Sequence, residues 1–439
     1  MEYLWGRKVL KEECKGSFSV ATQVFPAFQQ LNHLKGKCFR CSTIIDKQRT
    51  MLPTGTYYCS NCIQLGRVTS DAYFYHLPEP PLQARAVLFN WQGNLTAGQQ
   101  KVSAQLRQAV AKKAPHLIWA VTGAGKTEML FATLHEKLQK GARIALASPR
   151  VDVCLELYPR IQAVFPKETI ALLHGQQTAE YRYTKLVICT VHQLWRFYQA
   201  FDLLIVDEVD SFPFVNNRPL YYGVQQALKT SGSLVYLTAT PTKELQVQIK
   251  KKLLGVSVLP ARYHRRLLPV PNLMWCSHWQ QVSHTHSLKK VLALIQRLIK
   301  QNKVLLFCPS IKLIKLLYEQ LSTAFPQQSV EMVYGDDNAR LEKVKAMRQE
   351  QVDLLITTTI LERGVTFERV SVIVYGANHQ VFSAAALVQI AGRVDRRWHY
   401  TEGEVWFLHS GRTQALNEAV QQIKHMNYLA KAEGLIDEV

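Results

Sequence analysis

The sequence predicts an α/β chain with two parallel sheets in tandem, each covered by helices, behind a small four-cysteine module. Three observations carry this expectation. Short apolar runs alternate with helix-like stretches through both halves of the 439-residue chain, the pattern of parallel strands joined by crossover helices. That length exceeds one compact core, so two or three domains are expected. Four of the nine cysteines, Cys38, Cys41, Cys59 and Cys62, precede the alternating region in a paired spacing.

The elements follow in order. Residues 1–35 form an N-terminal segment whose opening, MEYLWGRKVLKEECK, lacks the apolar core of a signal peptide. Residues 36–66 hold the cysteines as C-x2-C, a 17-residue spacer and C-x2-C. Two such knuckles suit one tetrahedral Zn²⁺, and a reducing compartment argues against disulfides; a redox-active pair is the rival reading. Around them Lys37, Phe39, Arg40, Tyr57 and Tyr58 offer charge and stacking surfaces for a single strand, or else form the module's own small core. The module is expected to bind either DNA or another protein. Residues 67–94 read as a linker, stiffened by Pro78, Pro80 and Pro81.

Residues 95–258 and 259–439 are the expected α/β domains, divided where Gly255, Pro260, Pro269 and Pro271 punctuate the chain and Arg262 to Arg266 (RYHRR) concentrates charge. In the first of these, the apolar run Leu117 to Val121 leads into Gly123, Ala124, Gly125, Lys126 and Thr127, then a helix-like stretch that stops at Gly141. Glycines there let backbone N–H groups and a helix start face phosphates. Lys126 is expected to reach the outer phosphates of ATP and Thr127 to hold Mg²⁺. The strict phosphate-loop pattern has Gly where this chain has Ala120. A second apolar run, Leu203 to Val206, ends on Asp207-Glu208, placing carboxylates at the ligand-binding edge of a parallel sheet. Asp207 is expected to bind the hydrated Mg²⁺, and Glu208 to orient or deprotonate the attacking water.

From Leu95 onward, AVTGAGKTE, DEVD, TAT and QIAGRVDR in this order resemble the superfamily two helicases and translocases. The resemblance implies two RecA-like domains and further roles. Gln99, after Leu95-Thr96, corresponds to the adenine-reading residue; an ordinary helix start capped by Thr96 is the alternative. Ser148, Arg150 and Thr190 correspond to nucleic-acid contacts in the first domain, and Thr357 and Thr358 to contacts in the second. Thr238 and Thr240 would couple hydrolysis to grip by bonding the DEVD loop. Thr359, Glu362, Arg363 and Gly364 belong to a segment at the domain interface. Gln389, Gly392, Arg393 and Arg396 fit the arginine-finger motif. With Arg393 and Arg396 three apart on a helix, both would project on one side toward the γ-phosphate.

An N-terminal four-cysteine module joined directly to a short two-lobed core further resembles the late-competence ComFA family, whose core is similar to that of the restart helicase PriA. In PriA the cysteine cluster lies inside the helicase region. This resemblance implies an ATPase that draws single-stranded DNA through a membrane channel into the cytoplasm. Its expected partners are single-stranded DNA, the uptake channel and other competence proteins at the membrane, and a homo-oligomer is compatible with such a motor. A net charge of +20 has the sign expected for holding a phosphate backbone. No run approaches the ~20 apolar residues of a membrane span, so the expected location is the cytoplasm, reaching the membrane's inner face through a partner. Two other readings fit the same motifs: a duplex-unwinding repair, restart or RNA helicase, and an ATP-switched DNA-binding scaffold without motor activity.

Overall fold

The computed structural model describes residues 2–14, 18–175, 181–281, 285–395 and 402–437. Backbone contacts divide the chain into two units: Met1–Trp119 with Lys126–Val258, and Ala120–Gly125 with Leu259–Val439.

The first unit opens with two small antiparallel sheets. One contains β1 (Val9–Leu10), β2 (Gln23–Pro26) and β6 (Tyr73–His76); the other contains β3 (Phe28–Gln30), β4 (Lys35–Cys38) and β5 (Ile44–Asp46). Their own apolar interior is thin. Cys38 and Leu65 of the module, with Phe74 of β6, instead share one continuous core with Leu194, Leu220 and Val224 of the following domain. Small modules commonly gain stability this way, by metal or by borrowed core.

Seven strands build the large sheet of this unit: β7 (His116–Ala120), β8 (Ile144–Ser148), β9 (Ile170–Leu173), β10 (Leu186–Thr190), β11 (Phe201–Val206), β12 (Leu228–Thr238) and β13 (Gly255–Leu259). The spatial order is β13-β7-β12-β11-β8-β10-β9, with parallel pairing from β7 across to β9. Strands β8 and β10 are buried at every residue, which is why they are apolar up to their last residues, Ser148 and Thr190. Helices α1 (Ala97–Ala111), α2 (Phe131–Gln139), α3 (Val151–Val164), α4 (Arg218–Ala227) and α5 (Lys243–Lys250) alternate with them. Gly141, with φ of 74°, ends the α2 turn as a left-handed cap.

The stretch 77–96 has no regular structure, yet it is pinned along the first domain. Arg85 N donates to Gln139 O at 2.9 Å, Asn90 N to Val164 O at 2.8 Å, and the Phe89 ring stacks on His135 at 4.7 Å. Glu79 is buried in a pair with Arg143 and accepts from Tyr183 Oη at 2.8 Å. The linker is therefore a fixed strap.

The second unit holds a six-stranded, wholly parallel sheet in the order β14-β19-β18-β15-β17-β16. Its strands are β14 (Asn272–Trp275), β15 (Lys303–Phe307), β16 (Val330–Val333), β17 (Leu354–Thr357), β18 (Val370–Tyr375) and β19 (Val405–His409). Helices α6 (Thr285–Ile299), α7 (Ile311–Ala324), α8 (Arg340–Arg348), α9 (Ala384–Ala391) and α10 (Gln414–Ala432) complete it. Caps mark the starts: Ser310 Oγ accepts from Leu313 N at 3.3 Å, and Thr413 Oγ1 from Leu416 N at 3.3 Å. Two parallel α/β sheets behind an antiparallel four-cysteine module agree with the fold class expected from the sequence.

Candidate functional site

Strand β7 runs into a turn in which Gly123 (φ 77°) and Gly125 (φ 72°) take left-handed conformations. Thr127 is buried at the start of a short 3-10 turn, Glu128–Leu130, that leads into α2. Lys126 is half-buried between them. Ala120, where the strict pattern has glycine, is the last residue of the strand and fully buried, so a methyl group fits there.

Asp207 and Glu208 follow β11. The Asp207 amide donates to Ala147 O at 2.8 Å, and Asp207 Oδ1 accepts from Glu208 N at 2.8 Å. Glu208 holds a left-handed φ of 53°, an uncommon conformation for a residue with a side chain and one that often marks a functional turn. Burial raises the Asp207 carboxyl above its ordinary range; the Lys126 ammonium opposes the shift and Glu208 adds to it. A cation beside this carboxylate would relieve the burial penalty.

Two positions later, Asp210 is buried and both of its carboxylate oxygens are engaged. Thr238 Oγ1 donates to Oδ1 at 2.6 Å and Thr240 Oγ1 to Oδ2, while Thr240 N donates to Thr238 Oγ1 at 2.9 Å. Trp119 Nε1, on β7, donates to Ala239 O at 3.0 Å. The ends of β7, β11 and β12 are thus fastened together.

Gln99 closes a capping box at the start of α1: its Oε1 accepts from Thr96 N at 2.9 Å, and Thr96 Oγ1 accepts from Gln99 N at 3.3 Å. Ser148 and Thr190 are register partners at the ends of β8 and β10. Both are buried, with Arg150 half-exposed at the start of α3 and its amide on Ser148 Oγ at 3.3 Å. Any ligand contact at this edge would therefore fall first to Arg150.

In the second unit Thr357 ends β17, fully buried, with its carbonyl accepting from Cys308 N at 2.7 Å. Thr358 Oγ1 accepts from Ile360 N at 3.4 Å and starts the 3-10 turn Thr359–Leu361. Gly364 is left-handed (φ 72°), Arg363 is buried, and Gln389 is buried on α9. Arg393 is not on a helix, contrary to its expected spacing with Arg396. Helix α9 ends at Ala391, Gly392 caps it, and Asp395 turns left-handed (φ 52°). Arg393 Nε donates to Glu362 O at 3.0 Å, tying that turn to the Thr357–Gly364 segment. Arg396 lies outside the described residues.

The four cysteines of the module converge as their spacing predicts. Cys38 and Cys62 Sγ lie 3.9 Å apart, Cys41 and Cys59 Sγ 3.5 Å apart, and all four within 4.8 Å of one another. A tetrahedron of Zn–S bonds near 2.3 Å has edges of about 3.8 Å, whereas a disulfide needs about 2.05 Å. The set fits one Zn²⁺ held by four thiolates.

Arg40 and Tyr57 belong to the module's interior rather than to a strand-binding surface. Arg40 is fully buried, donating to Leu65 O at 3.0 Å and pairing with Glu13 at 2.7 Å; the Tyr57 ring packs edge-on against Phe28 at 5.1 Å. Lys8, which the sequence did not single out, donates to Phe39 O between the knuckle cysteines and to Gln226 Oε1 on α4. Gln226 Nε2 returns a bond to Arg40 O at 3.2 Å. Burial lowers the Lys8 ammonium to about 7. An adjacent thiolate cluster would favour its charge.

Comparison with known proteins agrees with this arrangement. Residues 92–243 match the model described as type III restriction enzyme, res subunit, and residues 286–397 the helicase conserved C-terminal domain. The competence protein ComFA of Streptococcus pneumoniae is 42% identical over 97% of this chain and 98% of its own length. That of Bacillus subtilis is 39% identical over 91% of this chain and 87% of its own. Two solved structures share the fold. Mycobacterium smegmatis helicase Lhr, bound to ssDNA and AMP-PNP, has a TM-score of 0.57 at 16% identity, covering 76% of this chain and 50% of its own. Saccharomyces cerevisiae Dbp5, bound to RNA and ADP BeF3, has 0.53 at 16%, covering 78% and 98%. Among the described residues, no helix is long and apolar enough to cross a membrane.

Proposed function

From its membership of the ComFA family of competence proteins, and from its superfamily two helicase-type ATPase fold, we propose that the chain is a single-stranded DNA translocase. It helps draw transforming DNA into the cytoplasm, working from the inner face of the membrane beside an uptake channel and other competence proteins. The helicase-type cores are residues 95–258 and 259–439, behind the zinc module at 36–66.

In this reading Gly123, Ala124, Gly125 and Lys126 cradle the ATP phosphates, Thr127 and Asp207 hold Mg²⁺, and Glu208 orients water. Gln99 reads adenine, while Gly364, Gln389, Arg393 and Arg396 serve the γ-phosphate side. Ser148, Arg150, Thr190, Thr357 and Thr358 grip the DNA backbone, with Arg150 the accessible cation of the first group. Mg²⁺, when bound, neutralises charge developing on the phosphates. Cys38, Cys41, Cys59 and Cys62 would hold Zn²⁺, which would supply the module with a structural cross-link between its two knuckles.

The observation that carries this reading is the buried Asp210 carboxylate with the hydroxyls of Thr238 and Thr240 on its two oxygens. Such a link joins the acidic strand end to the next strand end, so a change at the nucleotide is passed on as a displacement. Steady-state ATP hydrolysis without polymer, and with single-stranded DNA, duplex DNA or single-stranded RNA, tests it, with Glu208→Gln as the control. Stimulation by single-stranded DNA above the other polymers is expected; stimulation by RNA alone, or by none, would contradict it.

A further inference from the structure

The segment that follows β13 lies against two of the motifs at once, and all of the residues involved belong to the second unit. Val121 N donates to Leu259 O at 3.1 Å, and Tyr263 N donates to Gly123 O at 3.0 Å, so the phosphate-loop turn is bound edge-on by this segment. Arg262, 1% exposed, runs its aliphatic stem across Gly123, 3.7 Å from where a Cβ would stand. Its Nη1 then donates to Val394 O at 2.8 Å and Asp395 O at 2.7 Å. His264 Nε2 meets the same Asp395 carbonyl at 3.0 Å. A Cβ at Gly392 would overlap the Thr122 side chain, an independent sign that the loop and the turn at 392–395 pack directly together.

The turn needs such support. Asp395 holds a left-handed φ of 52°, which a residue with a side chain keeps only when its surroundings fix it. Its position also sets that of Arg393, two residues earlier. Two carbonyl oxygens beside a phosphate-binding loop would repel an anion, and a guanidinium satisfying both removes that repulsion.

We propose that Arg262 is a positioning residue for ATP hydrolysis: it clamps the 394–395 turn, and with it Arg393, in fixed register with the phosphate-loop turn at Gly123. The proposal rests on the ATPase reading above. It assigns work to the basic RYHRR stretch, which the sequence marked only as a boundary. The competing account is a cation that merely caps the end of α9 and affects folding alone.

The test uses the full chain with Arg262→Gln and Arg262→Lys. Titration with a fluorescent, non-hydrolysable ATP analogue and Mg²⁺ counts intact sites, and hydrolysis is measured with saturating single-stranded DNA. The clamp predicts one nucleotide site per chain in both variants, analogue Kd within about threefold of wild type, and kcat in Arg262→Gln lower by about tenfold or more. Arg262→Lys recovers part of this loss, because it keeps the charge but not the fork. If Arg262→Gln fails to melt cooperatively, Arg262→Lys carries the test alone, with a full site count and a kcat reduced severalfold. Wild-type kcat in the tested variant, or a loss of sites in proportion to the loss of turnover, would overturn the clamp. A wild-type chain without turnover would strike instead at the ATPase reading.

Discussion

Thr238 donates its hydroxyl to Oδ1 of Asp210 at 2.6 Å, although 28 residues separate them in sequence and both are buried. A carboxylate in that position depends on its donors, because an unmet buried charge costs more than the bond itself contributes. Thr238→Val keeps the shape and removes the donor. We expect a loss of about 1–3 kcal/mol in stability, read by thermal melting, and a larger fractional loss of DNA-stimulated than of DNA-free ATP turnover. Equal losses in both would separate the pair from coupling.

Lys126→Ala is expected to abolish ATP turnover while leaving DNA affinity, and its salt dependence, close to wild type. Backbone-gripping contacts release counterions on binding, so log affinity should fall linearly with log salt in both proteins. Filter binding from low to moderate salt checks this; a parallel collapse of binding and turnover would contradict separate sites.

Replacing Cys38 and Cys41 together by Ser should release about one zinc per chain, since four thiolates make the tetrahedral set. Metal content by mass spectrometry is the readout, and unchanged zinc would refute the assignment. Lys8→Met should behave differently. It leaves Phe39 O and Gln226 Oε1 without their buried donor, at a cost of about 1–3 kcal/mol, while zinc content stays near wild type.

Acid should destabilise the chain through its buried histidines. Burial lowers His76, His116 and His192 below the ordinary value of 6.5, and burial together with the Arg262 charge takes His264 to about 4. The unfolded chain therefore binds more protons than the folded one between pH 6.5 and about 4. Stability is fully present above pH 6.5 and is lost as pH falls through that window. A melting temperature flat from pH 7 to 4 would contradict it, and His264→Gln should reduce the slope.

The parts of this fold that were legible in the sequence are those where one physical demand dominates. Leu203 to Val206 and Leu186 to Cys189 are apolar because parallel strands are buried on both faces, and the motif residues sit where those runs stop. Paired cysteines announced themselves by spacing. Less was legible where partners come from far along the chain. Nothing local to Arg40 signals that Glu13 and Gln226 enclose it, nor that Lys8 reaches Phe39. Residues 67–94 read as a linker because the partners of that stretch, Gln23–Pro26 for the strand Tyr73–His76 and Gln139 and Val164 for the strap that follows, are remote. The helix spacing assigned to Arg393 failed because Gly392 and the left-handed Asp395 end the helix first, a backbone event that a residue interval does not encode.

The most direct test of the translocase claim is displacement of streptavidin from single-stranded DNA biotinylated at either end. The account predicts ATP-dependent displacement from one end only, lost in Lys126→Ala and in Glu208→Gln. ATP hydrolysis stimulated by single strands without displacement from either end would contradict it.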